Sequence, residues 1–381
     1  MNKSLYAQDG VDVEAGDELG KYVKELCETT YHNSRFVEVR DSSLGSFRGP
    51  RSYKFVNLPK YVEQVVAPDG IGSKTVLHDL SGQFSTAGFD LVAMTAMDIT
   101  RWGGLPLIMT NVLDLKSTAD KRAVSLLYRG LMEAVDMNRM VLLNGETAEL
   151  GDQVSSELPR NFQRSPFNWT GASIGVVDPK KIINGEKLAP GQPVIALKEE
   201  GFRSNGLSSV RKAFARKFGQ EWWKHEDLPS TLHRATIPSR LYDPMLSAAN
   251  GWRDEKDRVN ISYIAHVTGG GIRDKFGRDA VLKRGLSAVL DNLFEPPSIM
   301  RDCAEWRGMQ NEDFYSTWNG GQGALVVLER QEDAVRFIEL AHQHRLGAEE
   351  CGIVTATKKG ERPSVEIVSG LDGKTFRYFE S

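Results

Sequence analysis

The sequence has few cysteines, no long apolar run and no excess of positive charge. Its 381 residues include only Cys27, Cys303 and Cys351, which are widely separated and form no C-x-x-C pair. This spacing disfavours a disulfide framework or a zinc site and fits a reducing compartment. The amino terminus lacks the apolar core of a signal peptide, and no segment approaches the roughly 20 apolar residues that span a bilayer. We therefore expect a cytoplasmic protein without a membrane partner.

The charge balance also narrows the class of partner. A formal net charge of -3 provides no basic field for nucleic acid, so small molecules are the expected ligands. Hydrophobic residues make up 40% and charged residues 26%, as in ordinary globular proteins, and the length favours two domains. Glycine is clustered rather than scattered, which is typical of loops whose backbone lines a ligand.

Hydrophobic periodicity predicts alternating strands and helices, and hence an α/β fold. Residues up to about 60 look polar and turn-rich, with a loop at 40–50. The first half then predicts strands at 61–67, 105–113 and 140–143 and helices at 88–102 and 121–138. The second half predicts strands at 193–197, 262–267 and 324–328, helices at 208–218 and 331–344, and a glycine turn entering a helix at 269–276. A segment rich in Pro and Gly at 178–192 separates two predicted domains, 1–178 and 179–381.

The segment Asp69-Gly70-Ile71-Gly72-Ser73-Lys74 combines a carboxylate, two glycines, a hydroxyl and a lysine within six residues. Phosphate chemistry uses these parts as metal ligand, backbone donors and positive charge. The spacing is not that of a Walker A loop. A tight turn followed by a solvated lysine explains the segment equally well.

Two further acidic positions favour the phosphate interpretation. Asp98 lies among apolar residues of a predicted helix, where a divalent cation or an ion pair with Arg101 would offset its burial. The segment 144–149 places two carboxylates and an amide directly after an apolar strand, where α/β proteins collect ligands. A capping box at Thr147 is the alternative, but no apolar helical run follows it.

Three glycine-rich segments of the second half, at 201–206, 266–271 and 319–323, offer backbone N–H groups to an anion. Each alone is also compatible with a simple turn. A lone histidine such as His266 is more often a hydrogen-bonded structural residue than a base. The basic run 211–217 near Trp222 and Trp223 is better explained as helix surface and core than as a nucleic-acid surface.

Taken in order, these segments resemble the phosphoribosylformylglycinamidine cyclo-ligase family, the aminoimidazole ribonucleotide synthetases of purine biosynthesis. The likeness runs from Tyr6 to about Gly352 and includes DGVDVEAG at 9–16, DGIGSK, GFDLVAM, NGETAE, SNGLSSVRK and HVTGGG. Single motifs also occur in selenophosphate synthetase, thiamine-monophosphate kinase, the hydrogenase-maturation dehydratase and formylglycinamidine ribonucleotide synthetase. The amino-terminal GVDVEAG and the SNG segment favour the cyclo-ligase.

The resemblance implies two α/β lobes, with amino-terminal lobes that pair in a homodimer and form a shared β-barrel. It also implies ATP and Mg²⁺, with metal ligands Asp69, Asp98 and Glu146 and catalytic residues Lys74, Asp98 and His266. The implied ATP-binding residues are Gly45, Phe47, Asp69, Gly70, Gly72, Ser73, Lys74, Asn144, Gly145, Glu146 and Thr147. The implied substrate-binding residues are Arg203, Ser204, Asn205, Gly206, Thr268, Gly269, Gly270 and Asn319.

The implied reaction is phosphorylation of the formyl oxygen of formylglycinamidine ribonucleotide by ATP, followed by ring closure to 5-aminoimidazole ribonucleotide. The alternatives are another ATP-dependent kinase or synthetase of the same superfamily, and a nucleotide-binding regulatory protein without turnover. The sequence departs from the family pattern at Ser46, Arg48, Met97, Asn111-Val112, Asn168, Arg203, Lys275 and Trp318. We expect Arg203 and Lys275 either to strengthen phosphate binding or to mark a different anionic substrate.

Overall fold

The computed structural model describes residues 13–42 and 49–379. Its α-helices are α1 Val13–Thr29, α2 Thr75–Ser81, α3 Ala87–Thr100, α4 Lys121–Met137, α5 Leu207–Phe218, α6 Leu228–Ala235, α7 Asp243–Ala249, α8 Ser298–Arg307, α9 Asn311–Thr317 and α10 Gln331–Gln343. Its strands are β1 Val37–Asp41, β2 Arg51–Phe55, β3 Glu63–Gly70, β4 Leu105–Leu115, β5 Val141–Glu149, β6 Phe167–Val177, β7 Pro193–Lys198, β8 Ile261–His266, β9 Leu286–Leu290, β10 Gln322–Leu328, β11 Ala348–Ala356, β12 Ser364–Val368 and β13 Thr375–Phe379. A π-helical segment spans Arg273–Val281.

The first lobe is built on a four-stranded sheet in the order β3-β6-β4-β5. Strands β4 and β5 are parallel, and β6 runs antiparallel to both β3 and β4. Helices α3 and α4 pack on one face. Every residue of α3 except Phe89 and Asp98 is buried, as expected of a helix that is apolar on all sides. Asp120 caps the amino terminus of helix α4, where its side chain accepts the backbone N–H of Ala123 at 3.0 Å.

The other face of this sheet is open in the single chain. Side chains alternate between the two faces of a strand, and Val66 and Val112 point away from the helices with exposed fractions of 59% and 42%. Pro68, Thr170 and Ala172 share this face and line a shallow cavity of about 380 Å³. We call this surface the open sheet face.

The second lobe contains a seven-stranded sheet in the order β13-β12-β9-β11-β7-β10-β8, in which only β9 and β12 are parallel neighbours. Helices α5 and α8 belong to the core on one side of this sheet, and α7 and α10 belong to the core on the other. The two sheets lie on either side of 178–192, although the exact domain boundary stays a prediction. No helix in the described ranges has the length and apolar character needed to cross a bilayer.

The structure corrects three sequence predictions. The part before residue 60 was expected to be a polar loop region, yet it contains α1 and the hairpin of β1 and β2. The segment 144–149 lies inside β5 rather than after it. The sheets are mixed and mainly antiparallel, with three carboxyl-terminal strands that the periodicity did not predict. Short strands with alternating exposure carry a weaker sequence signal than buried strands such as β4.

Candidate active site at the junction of the two lobes

Two carboxylates mark the place where the lobes meet. Asp69 is the penultimate residue of β3, and Asp98 lies near the carboxyl end of α3. Burial raises the pKa of Asp69, and the negative charge of Asp98 raises it further. The two carboxylates are therefore close enough to repel each other, an arrangement that a bound cation would stabilise.

Each of these carboxylates uses one oxygen for contacts within the protein. Oδ1 of Asp69 accepts the backbone N–H of Gly70 at 2.7 Å, and Oδ1 of Asp98 accepts Nε of Arg101 at 2.9 Å. Nδ1 of His266 lies 3.6 Å from the same Asp98 oxygen. In residues 13–42 and 49–379, Oδ2 of neither carboxylate has a hydrogen-bond partner. Two hard oxygen donors thus remain for a cation, and such donors suit Mg²⁺.

A series of buried polar side chains connects Asp98 with the second lobe. Nη2 of Arg203 donates to Nε2 of His266 at 2.9 Å, and its Nη1 donates to Glu199 at 2.7 Å. The exposed fractions of His266, Arg203 and Glu199 are only 3%, 1% and 1%, so water does not compete for these contacts. Arg203 also has a backbone φ of +55°, which is uncommon for a residue other than glycine. The predicted substrate arginine therefore lies inside the protein, where it holds His266.

The same contacts define which ring nitrogen of His266 carries the proton. Because Arg203 donates to Nε2, the proton of the neutral ring lies on Nδ1, which faces Asp98. Burial lowers the pKa of His266 to about 4, and the positive charge of Arg203 contributes to this shift against the opposing effect of Asp98. His266 is thus neutral near pH 7 and presents an N–H group to the Asp98 carboxylate.

We expect the His266→Asn substitution to reduce the loss of stability between pH 6.5 and pH 4. In that interval the unfolded chain protonates His266 while the folded chain does not, so falling pH destabilises the wild type by about 3 kcal/mol through this group. Asp79, with its pKa raised by burial to about 6, acts with the opposite sign, but it is present in both proteins. Urea unfolding at a series of pH values measures the difference between them.

The exposed His233 on α6 provides the matched control, because His233→Asn makes the same chemical change at the surface. His233→Asn should follow the wild-type pH dependence. Parallel pH profiles for wild type and His266→Asn would contradict the buried neutral state of His266.

Predicted glycine-rich loops from both lobes face each other beside these residues. A Cβ added to Gly72 would lie 3.7 Å from the backbone oxygen of Ser204, and one added to Gly269 would lie 3.3 Å from Oδ1 of Asn205. Nδ2 of Asn205 also contacts the sulfur of Met94 in α3 at 3.9 Å. The tertiary structure therefore brings the DGIGSK segment next to the SNG and TGG segments.

Some of the predicted substrate residues form hydrogen bonds and close contacts within these loops and with the segments packed against them. Nε1 of Trp318 donates to the backbone oxygen of Gly206 at 3.2 Å, and the buried Asn319 donates from Nδ2 to the backbone oxygen of Gly201 at 2.8 Å. Gly206 has a φ of +72°, and an added Cβ would lie 2.5 Å from the Trp318 ring. Gly270 is also restricted to glycine, because its φ is +88° and an added Cβ would collide with Asp274. Thr268, two residues before Gly270, is half-buried.

Lys74 does not have the placement expected of a phosphate ligand. Its ammonium group is fully buried, donates to Oδ1 of Asp90 at 2.8 Å and donates to the backbone oxygen of Ile237 at 3.0 Å. Asp90 also accepts the hydroxyl of Ser239 at 2.6 Å, so this ion pair connects the two lobes. Burial alone would raise the pKa of Asp90, but the charge of Lys74 and the contact with His78 at 3.0 Å together outweigh it, and the pKa lies below its usual range. Lys74 holds the DGIGSK segment in place.

The predicted three-carboxylate metal set is divided between two faces of the first sheet. Glu146 pairs in register with Val112 and shares the open sheet face with it, whereas Asp69 belongs to the adjacent row, on the side of α3. Three strand spacings, about 14 Å, also separate β3 from β5. No group of three His, Cys, Asp or Glu side chains that could hold a metal exists in the part of the chain that the structure describes. One ion cannot bind Asp69 and Glu146 of the same chain at ligand distances near 2.1 Å.

The other predicted ATP-binding residues have mixed placements. The Ser73 hydroxyl accepts Nη1 of Arg211 at 3.0 Å beside Gly72, close to the lobe junction. Thr147 hydrogen-bonds Tyr128 at 2.6 Å on the helix side of β5, while Asn144 is exposed. Gly145 leaves room for the buried Asn111 side chain, whose Nδ2 would lie 2.6 Å from an added Cβ. Gly70 ends β3, and Gly45 and Phe47 lie outside the described residues.

Sequence reasoning missed two buried acids that organise the site, Asp90 and Glu199. Asp90 lies in the same apolar segment as Asp98, so the free-energy cost of burying a carboxylate applies to both residues and could have identified Asp90. Glu199 accepts from Arg203, Tyr242 and the backbone of Arg240. Glu199 directly follows the buried strand β7, and this position at a strand end was the feature of the sequence that could have identified it.

Comparison with known proteins agrees with this architecture. Two family models match, AIR synthase related protein, N-terminal domain, over residues 54–159 and AIR synthase related protein, C-terminal domain, over residues 189–363. A phosphoribosylformylglycinamidine cyclo-ligase of Clostridium perfringens is 31% identical over 364 residues, which cover 93% of this chain and 98% of that protein.

Two solved structures extend the comparison at the level of the fold alone. Thiamine-monophosphate kinase from Stenotrophomonas maltophilia has a TM-score of 0.59 at 14% identity and covers 93% of this chain and 96% of its own. Hydrogenase maturation protein HypE, solved in complex with ATP, has a TM-score of 0.55 at 12% identity and covers 86% of this chain and 87% of its own.

Proposed function

Because the chain belongs to the phosphoribosylformylglycinamidine cyclo-ligase family, we propose that it closes the imidazole ring of aminoimidazole ribonucleotide at the expense of ATP. ATP transfers its terminal phosphoryl group to the formyl oxygen of formylglycinamidine ribonucleotide, releasing ADP. A nitrogen of the same molecule then attacks the activated carbon and loses a proton, and the oxygen leaves as phosphate. The meeting of Asp69, Asp98 and the glycine loops at the lobe junction is the observation that carries this proposal.

The geometry supports positioning rather than covalent catalysis. Phosphoryl transfer mainly requires that charged groups are held in place and that the reacting atoms are aligned. Gly72 and Gly269 allow the backbone of both lobes to approach a ligand closely, and the neutral His266 donates its Nδ1–H toward Asp98. Arg203 and Glu199 act as positioning residues, because they fix the ring of His266 without facing open space.

Asp69 and Asp98 fit a magnesium site. Each retains an oxygen without a partner in the described ranges, and burial and mutual repulsion favour a cation between them. Mg²⁺ in nucleotide enzymes uses one or two carboxylates together with substrate phosphates, so a third carboxylate is not required. When bound, the ion would neutralise negative charge on the ATP phosphates.

A turnover assay tests the function directly. Purified protein is incubated with formylglycinamidine ribonucleotide, ATP and Mg²⁺, and aminoimidazole ribonucleotide and ADP are measured together. Equal amounts of both products are expected. ADP without the aminoimidazole product would identify a different ATP-dependent phosphoryl transfer, and ATP binding without either product would identify a protein without turnover.

We also propose that two copies of the chain pair through the open sheet face. This face exposes Val66 and Val112 beside the uncharged Pro68, Thr170 and Ala172, whereas the opposite face is covered by helices. Contiguous apolar surface of this kind usually meets a partner. Glu146 lies on the same face, so in a homodimer it would be at the interface rather than beside Asp69.

The three buried, unpaired cysteines fit the reducing cytoplasm in which we place the enzyme.

Val112→Asp is expected to convert the homodimer into a monomer, because each copy would bury an unpaired carboxylate at the centre of the interface. Sedimentation equilibrium of wild type and variant measures the mass. Val335→Asp is the matched control, since Val335 is 50% exposed on α10 of the second lobe. A wild-type mass of one chain, or an unchanged dimer in Val112→Asp, would contradict the assignment of this face.

A further inference from the structure

A cluster of basic side chains lies at the lobe junction, at the opposite end of β5 from Glu146. Arg139 is in the turn between α4 and β5, and Arg35 precedes β1. Arg253 follows α7, and His344 follows α10. We call these four residues the basic cluster. Nη2 of Arg35 donates to the backbone oxygen of Arg253 at 2.8 Å, which ties the first lobe to the second at this point.

Within the described residues, the positive charges of the cluster are offset only in part. In residues 13–42 and 49–379, Arg35, Arg139 and Arg253 form no ion pair, and Nε of Arg253 is buried without a hydrogen-bond partner. Burial lowers the pKa of Arg253 to about 10, and the charges of Arg139 and Arg35 lower it further. Burial, Arg139 and Arg253 also lower the pKa of His344.

Two nearby carboxylates offset this charge only in part. The negative charge of Asp254 interacts with the positive charge of Arg35, but Asp254 also forms an ion pair with Lys256 at 3.0 Å. Asp257 raises the pKa of His344, but by less than burial and the two arginines lower it. The cluster therefore retains uncompensated positive charge, together with a buried N–H donor that has no acceptor. Like charges held close together cost free energy, which a bound anion would recover.

We propose that the basic cluster binds a phosphate-bearing anion that bridges the two lobes. Planar guanidinium groups form paired hydrogen bonds with phosphate oxygens, and a phosphate dianion neutralises more of this charge than a carboxylate does. Arg35 and Arg139 contribute from the first lobe, and Arg253 and His344 contribute from the second. Free inorganic phosphate and the phosphate group of a nucleotide share this chemistry.

A structural role for the same residues makes an opposite prediction. Arg139 follows the carboxyl end of α4 and His344 follows that of α10, where positive charge stabilises a helix dipole. If this were their purpose, removing Arg139 would lower stability. If the cluster is an anion site, removing Arg139 relieves repulsion, and the unliganded protein becomes more stable.

The test is thermal melting of the full chain with inorganic phosphate, with AMP, or with chloride at matched ionic strength. Arg139→Gln and Arg35→Gln are compared with Arg129→Gln, which makes the same charge change at an exposed position of α4. Asp69→Asn is included because phosphate is also a product of the proposed reaction. In that variant the response to phosphate through the basic cluster should persist.

We expect phosphate to raise the melting temperature of the wild type, Asp69→Asn and Arg129→Gln more than chloride does. Arg139→Gln and Arg35→Gln should bind phosphate about tenfold more weakly, and Arg139→Gln should melt higher than the wild type without phosphate. A stronger response to AMP than to phosphate would identify a nucleotide as the ligand. The same response to phosphate in Arg139→Gln as in the wild type would overturn the proposal, as would a lower melting temperature of the unliganded variant.

Discussion

Asp69→Asn is expected to lower kcat/KM for ATP-dependent ring closure about a hundredfold to a thousandfold while leaving the protein folded. Asparagine keeps the size of the side chain but removes the charge that, with Asp98, would hold a cation. The melting temperature should not fall, because Asp98 no longer faces a second negative charge. A gain of stability together with a loss of turnover would mark Asp69 as a residue kept for function.

One further measurement and a control variant make the result specific. The variant should require a higher Mg²⁺ concentration for half-maximal rate, which a purely structural defect would not produce. Asp136→Asn is the matched control, since Asp136 is exposed on α4 of the same lobe. Wild-type activity and Mg²⁺ dependence in Asp69→Asn would show that the metal assignment is wrong.

Asp90→Ala is expected to lower the free energy of unfolding by about 3–5 kcal/mol, the cost of leaving a buried charge without its partner. Lys74 is fully buried and its ammonium lies 2.8 Å from Asp90. Ser239 of the second lobe would lose the acceptor of both its hydroxyl and its backbone N–H. Urea unfolding measures the loss, and faster hydrogen exchange of the Ser239 amide would locate it at the lobe junction.

A double variant separates charge from packing. Replacing Lys74 by methionine and Asp90 by leucine removes both charges and keeps apolar volume, so the part of the loss that comes from the unpaired Lys74 charge should return. The part that comes from Ser239 and His78, which lose their contacts with Asp90, should remain. If the double variant is as unstable as Asp90→Ala, the buried ion pair is not the cause of the loss.

Helix α3 illustrates how far the sequence could predict the site. Its apolar residues predicted a buried helix, and Asp98 was recognised because a lone carboxylate there needed a partner. Asp90 lies in the same apolar segment, but its partner Lys74 is 16 residues away and no local pattern connects the two residues. The composition of DGIGSK predicts a phosphate ligand at Lys74, because composition does not reveal where the side chain points.

Strand β5 shows a second limit. The sequence predicted a strand that ends before Asn144, whereas β5 continues to Glu149. Since side chains alternate along a strand, the face of Glu146 depends on register with β4, which places it beside Val112. The family ligand set therefore could not be placed in space from spacing alone.

The sequence by itself determined the scarcity of cysteine, the absence of a long apolar run, the order of the glycine motifs and the membership of the cyclo-ligase family. These depend on neighbouring residues and on motif order. The tertiary structure alone decided that Asp69 faces Asp98, that Lys74 is neutralised by Asp90 and that Arg203 holds His266. Each of these contacts joins segments of one lobe that are separated along the chain, and only tertiary packing brings their charges within interaction distance.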